Sequence, residues 1–193
     1  MSSTAGAEGE TAYNGLSIVL PTFNEGGSIQ QVIQSLLSLT SNRAIEILVV
    51  DDDSRDGTAD LVRQLARQDP RIRIIQRVGR SGLASAIKEG LIAAIHPIAV
   101  VMDSDGQHEP SAVLEALRCL EAGSFDLVAG SRFLDHSRIH GLSDRRTDGS
   151  TVANRLARWS LPPNYRHLTD CMSGFLVLRL RPCLQIIRQV DVS

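Results

Sequence analysis

The chain has 193 residues, a formal net charge of −2, an apolar fraction of 42% and an aromatic fraction of only 4%. That size suits one domain with one real hydrophobic core, and that charge balance argues against disorder, a polyanion-binding surface and nucleic acid as a partner. No apolar run reaches the roughly 18 residues of a membrane span, and Cys119, Cys171 and Cys183 stand in no spacing that signals a zinc site or a disulfide framework.

The first 15 residues are small and polar and lack the apolar core of a signal peptide, so a disordered leader and a cytoplasmic location are expected. Lys88 is the only lysine, so a phosphate site here must be built from arginines. From residue 16 onward, short β-type runs alternate with helical periods. "LSIVL" (16–20) reads as a strand, and Ile29, Val32, Ile33, Leu36 and Leu37 then fall on one helical face. "AIEILVV" (44–50) is a second strand and 58–68 a helix. "IRII" (72–75) is a third strand, followed by an alanine-rich helix over 83–95. "IAVVM" (98–102) is a fourth strand. Pro110 opens a further helix at a position that tolerates proline, and "FDLVAGS" (125–131) is a fifth strand.

Such alternation predicts βαβ units and a mainly parallel sheet. Strands this continuously apolar need cover on both faces. Ligands of such sheets bind at the carboxyl ends of the strands. Those ends carry "PTFNE" (21–25), "DDDSRDGT" (51–58), "DSDGQH" (103–108) and "GSR" (130–132). Acids converging on one rim repel each other and need compensation, which a divalent cation and a phosphorylated ligand would supply.

Asp103 and Asp105 admit more than one reading. As two hard oxygen donors, with Gln107 beside them, they suit Mg²⁺ or Mn²⁺ shared with a diphosphate. His108 is either a further ligand or a surface-loop histidine. As Asp-x-Asp-Gly after a strand they could instead begin a phosphatase with a carboxylate nucleophile. That reading needs a downstream lysine, and none follows Lys88. "DDDSRDGT" imitates a calcium loop, but Arg63 stands where its last ligand should be a glutamate. Asp51 or Asp52 accepting from a base or ribose fits better, with Asp56 or Thr58 capping the next helix.

The ordered set "VLPTFNE", "EILVVDDDSRDGT", "GRSGLASAIKEGL", "VVMDSDGQHEP", "DLVAGSRF" and "SGF" (173–175) resembles the family-two glycosyltransferases. Within them it looks most like the dolichol-phosphate and polyprenyl-phosphate mannosyltransferases and their bacterial relatives. The resemblance covers about residues 16–178. It implies an α/β fold of the GT-A type, a Rossmann-like α/β/α sandwich with a mainly parallel central sheet over 16–193, short at its C-terminal end. By the same resemblance Pro21, Phe23 and Glu25 cradle the nucleotide and Asp52 faces base and ribose. Asp103 and Asp105, with Gln107, hold the metal and diphosphate. Arg132 matches the "GSR" arginine, and "RTDGSTVAN" (146–154) places Arg146 and Ser150 at an acceptor phosphate. Asp105, Arg132 and Arg146 are the catalytic candidates.

The activity so implied is inverting, metal-dependent transfer of mannose or glucose from a donor of the GDP-mannose or UDP-glucose type to a polyprenyl or dolichyl phosphate. It would take place at the cytoplasmic membrane face, with peripheral membrane contact and a possible membrane partner subunit. A phosphate acceptor is already an anion and needs no general base. A saccharide hydroxyl does need one, and Asp170 is then the candidate. A nucleotide-sugar-binding domain without turnover is the third possibility. Met172, Leu176 and Ala84 depart from the family's usual threonine, arginine and glycine.

Overall fold

The computed structural model describes residues 15–39, 43–106, 110–123, 125–131 and 173–192. Six strands among these residues form one sheet: β1 (Gly15–Thr22), β2 (Ala44–Asp51), β3 (Ile72–Gln76), β4 (Ile98–Val101), β5 (Leu127–Ala129) and β6 (Leu176–Arg179). Their order is β3-β2-β1-β4-β6-β5. β1 pairs in parallel with both β2 and β4, and β2 with β3. β6 runs antiparallel to both its neighbours, β4 and β5.

Among the described residues five helices cover the sheet: α1 (Ile29–Ser38), α2 (Thr58–Gln68), α3 (Leu83–Ala93), α4 (Pro110–Ala122) and α5 (Leu180–Gln189). The strand period of two sorts the core into two layers. Leu16, Ile18, Leu20, Ile47, Val49, Ile98 and Val100 face α1, α2 and α4, through Ile33, Leu36, Val62 and Leu117. Val19, Leu48, Val50, Ala99 and Val101 face α3 and α5, through Ala86, Leu91 and Leu180. Burial of each large aliphatic side chain contributes about 1.5–3 kcal/mol before entropy is counted. This is the expected α/β/α sandwich with a mainly parallel sheet.

The differences from expectation are local. Gly15, expected in the leader, opens β1. α3 ends at Ala93 rather than 95, because Ala94 is already extended and Pro97 biases the residue before it away from helix. β5 is shorter than 125–131 because its one partner among the described residues, β6, has four residues. Single bonds continue the pairing at each end, from the Gly130 amide to the Phe175 carbonyl and from the Arg179 amide to the Asp126 carbonyl. β6 and α5 had no counterpart in the sequence reading. Pro182 sits in the first turn of α5, where its missing N–H costs nothing.

α3 packs closely on the sheet at Gly90. A Cβ there would meet both Val19 and Val50, the latter at 3.0 Å. At the end of the sheet where β1 and β2 begin, the buried Glu46 carboxylate is bound by Arg73, the Ser17 hydroxyl and the Ile95 amide. That network satisfies a carboxylate far from the rim where ligands are expected. No helix among the described residues is long and apolar enough to cross a membrane.

Candidate functional site

The chain reverses its direction of growth between β1 and β4: β2 and β3 lie to one side of β1, and β4 to the other. A crevice opens at the carboxyl ends of strands at such a switch point. The described residues form a pocket of about 270 Å³ there, lined by Pro21, Thr22, Phe23, Glu25, Asp52, Leu83, Ala86, Asp103, Ser104 and Asp105. Every site residue expected from the sequence that is described lies in it. Gln107, His108, Arg132, Arg146, Ser150 and Asp170 lie outside the described residues.

Local hydrogen bonds explain how each acid reaches the pocket. Ser104 is 3% exposed, and its hydroxyl donates to the Pro21 carbonyl at 3.1 Å. This bond ties the turn after β4 to the end of β1, and Asp103, Ser104 and Asp105 all line the pocket. The Ser28 hydroxyl lies 2.9 Å from Glu25 Oε2 and 3.0 Å from the Ser104 carbonyl, so its one proton joins the 21–28 segment to the same turn.

The loop after β1 is fastened to the loop after β2. The Asn24 amide donates to Ser54 Oγ at 2.8 Å, and Asn24 Oδ1 accepts from the Arg55 amide at 3.0 Å. The Glu25 amide donates to Thr58 Oγ1 at 3.0 Å and the Gly26 amide to Asp56 Oδ2 at 2.8 Å. Asn24 and Asp53 adopt left-handed backbone conformations that allow these tight turns. Asp56 does bind the start of α2, accepting from the Thr58 hydroxyl and amide, although the N-cap itself is Gly57. The Thr58 hydroxyl and then the Gly26 amide hold the Asp56 carboxyl below its ordinary range. Asp51 is fully buried and accepts from the Ser54 amide within its own loop, so of the first two acids only Asp52 reaches the pocket.

Part of the charge compensation proves to be internal. Arg77, which follows β3, is only 3% exposed and pairs with Asp52 at 2.5 Å. Its Nε lies 3.3 Å from Glu89 Oε2, off the hydrogen-bond line, and is the one buried side-chain donor without a hydrogen bond among the described residues. Asp52 Oδ2 accepts from the Gly82 amide at 2.7 Å, at the start of α3. Arg77, Leu83, Ala86 and Ser104 were missed by the sequence reading. An arginine directly after a strand facing an acidic strand end is a weak signal, and only the register of β2 on β3 brings Arg77 to Asp52.

The antiparallel β6 enters the same rim at its amino end. Leu176 pairs with Val101, so the "SGF" segment lies beside Asp103. A Cβ on Gly174 would stand 2.7 Å from Asp103 Cγ, and one on Gly130 would stand 2.9 Å from the Phe175 ring. Glycine is therefore required at both places by close approach. Phe23 and Leu83, 60% and 58% exposed, are large apolar side chains at the pocket that the core does not use.

Among the described residues no three His, Cys, Asp or Glu side chains are grouped to hold a metal by themselves. Asp103 and Asp105 nevertheless fit Mg²⁺ or Mn²⁺, since such ions are commonly held by one or two carboxylates with substrate phosphates and water completing the shell. An oxygen-only donor pair beside an apolar flank can thus take a ligand with a planar ring at one end and a diphosphate at the other.

Comparison with known proteins gives the family and the fold. The family model for glycosyl transferase family 2 matches residues 17–178. A dolichol-phosphate mannosyltransferase from Pyrococcus furiosus is 32% identical over 85% of the chain, which spans 46% of that protein. A polyprenol monophosphomannose synthase from Mycolicibacterium smegmatis is 29% identical over 91% of the chain, which spans 64% of it. The fold matches crystal structures of glucosyl-3-phosphoglycerate synthase from Mycobacterium tuberculosis. The complex with phosphoglyceric acid is 25% identical with a TM-score of 0.66, over 89% of this chain and 58% of that one. The same enzyme has been crystallised with Mn²⁺, UDP-glucose and phosphoglyceric acid, at 24% identity and a TM-score of 0.65. The sheet and its helices are those of the GT-A fold.

Proposed function

Because the chain belongs to glycosyl transferase family 2, we propose that it transfers a hexose from a nucleotide-diphosphate sugar to a polyprenyl phosphate, with inversion at the anomeric carbon and dependence on Mg²⁺ or Mn²⁺. The observation that carries the proposal is the convergence of Pro21, Phe23, Glu25, Asp52, Asp103 and Asp105 on one pocket at the switch point. The two curated mannosyl-transferring relatives support the sugar and the acceptor class.

In this reading Phe23 and Leu83 flank the base and Asp52 accepts from a base or ribose donor. Asp103 and Asp105, with Gln107, would hold the cation, which would supply Lewis-acid stabilisation of the charge that builds on the leaving diphosphate. An acceptor phosphate oxygen attacks the anomeric carbon as the bond to the diphosphate oxygen breaks, and the electron pair leaves with the diphosphate. The incoming oxygen is already anionic, so no side chain has to remove a proton. Arg132, Arg146 and Ser150 are assigned to the acceptor phosphate, because two anions must be brought together against their repulsion. A lipid phosphate would bring the protein to a membrane face through its substrate.

The second reading is a hydroxyl acceptor, which the glucosyl-3-phosphoglycerate synthase neighbours favour. It requires a base, for which Asp170 is the candidate. A transfer assay with GDP-mannose and UDP-glucose against polyprenyl phosphate and 3-phosphoglycerate separates the two. Labelled polyprenyl phosphate sugar is the expected product. Product only on the hydroxyl acceptor favours the second reading, and cation-dependent donor binding without transfer to either favours a binding domain.

A further inference from the structure

We infer that Arg77 is a positioning residue of the donor pocket. It holds Asp52 and the first turn of α3 in the geometry that a nucleoside meets. The inference rests on the nucleotide reading of the pocket and adds to it a residue that does not line the pocket.

The guanidinium gathers groups from two segments, the end of β2 and the start of α3. It pairs with Asp52 of the β2 end at 2.5 Å, donates to the Gly82 carbonyl at 3.1 Å and reaches Ser85 Oγ at 2.5 Å. Asp52 closes the ring by accepting the Gly82 amide at 2.7 Å. Gly82 has a φ of 132°, a backbone conformation open to glycine, and it is the N-cap of α3. Leu83 and Ala86, in the turn that follows, are pocket wall. One buried cation therefore fixes an acid of the pocket and the helix end that carries the apolar wall.

Stability alone does not call for such a pair. A buried ion pair contributes little to folding compared with packed apolar residues, because both charges lose their hydration. What a guanidinium adds is direction. Its planar fork meets acceptors on several sides at once, and an ammonium group on a flexible stem cannot reproduce that. Asp52 is thereby engaged on both oxygens from the protein side while it lines the pocket. Outward from Arg77, Glu89 also binds Arg80, at 3.2 Å, so the charges alternate from pocket to surface.

The test titrates uridine diphosphate and guanosine diphosphate, each with Mn²⁺, into the unsubstituted chain, Arg77→Lys and Ser85→Ala, with thermal unfolding measured in parallel. Arg77→Lys retains the buried charge. It is expected to unfold near the unsubstituted temperature while binding nucleoside diphosphate about tenfold more weakly, with donor KM raised and kcat retained. Ser85→Ala, which removes one anchor of the guanidinium, is expected to weaken binding about threefold. A purely structural role would move the unfolding temperature and leave the affinity of the folded protein alone. Unchanged affinity in both variants overturns the inference and leaves the nucleotide reading standing. Should Arg77→Lys fail to fold, unchanged affinity in Ser85→Ala overturns it. No binding by the unsubstituted chain overturns the nucleotide reading itself, and this inference with it.

Discussion

Gly174 stands against the carboxylate of Asp103 with no room for a side chain between them: a Cβ on the glycine would come within 2.7 Å of Asp103 Cγ. The two residues are 71 positions apart and meet because β6 enters the sheet antiparallel to β4. The "SGF" segment is thus packed directly against the Asp103 carboxylate.

Gly174→Ala should therefore act on ligand binding more than on folding. Either the Asp103 carboxylate rotates away or the segment before β6 shifts. The expected outcome is about tenfold weaker cation-dependent nucleoside diphosphate binding, measured by calorimetry. The loss of stability in urea unfolding should be about 1–2 kcal/mol. Gly27→Ala, at a glycine with open space around it, is the control and should change neither.

Gly90→Ala tests the packing of α3 on the sheet and sets two principles against each other. In an isolated helix the change would stabilise by about 1 kcal/mol. Here the added methyl meets Val19 and Val50. Overpacking should win, with a net loss of about 1–3 kcal/mol in chemical unfolding.

Asp56 links the two loops beside the pocket, and its carboxyl is held below its ordinary value of 3.8 by the Thr58 hydroxyl and the Gly26 amide. A depressed carboxyl contributes stability that is fully present above its unfolded pKa and is lost as pH falls through the lower, folded pKa. Asp69 has the same sign, through Arg71. Asp56→Asn should therefore lower the unfolding temperature at pH 7. The gap to the unsubstituted chain should shrink as pH drops below 3.8. Unfolding curves between pH 2 and pH 7 check this, and a gap independent of pH would contradict it.

The parallel half of the fold was legible because buried strands and amphipathic helices write their periods directly into the chain. β1 to β4, with their intervening helices, lie within two residues of the expected bounds. β6 was not legible: "LVLR" is four residues long and its place is decided by pairing with β4 and β5, which no local pattern records. The same holds for the site. Asp103, Asp105 and Asp52 announced themselves as acids ending apolar runs. Arg77 looked like any loop arginine, because its role comes from the register of β3 on β2 and from the Gly82 turn. The convergence of acids suggested compensation by a divalent cation and a phosphorylated ligand, whereas the protein already neutralises Asp52 itself.

The central claim is that the switch-point pocket binds a nucleoside diphosphate through a cation held by Asp103 and Asp105. It is tested most directly by titrating guanosine and uridine diphosphate into the protein with Mn²⁺ and with chelator, alongside Asp105→Ala. Asp105 is exposed, so its loss should leave the unfolding temperature within about 2 °C. The account predicts saturable binding of at least one of the two that requires the cation and falls by about tenfold or more in Asp105→Ala. Binding of equal strength without the cation, or undiminished in the folded variant, would contradict it.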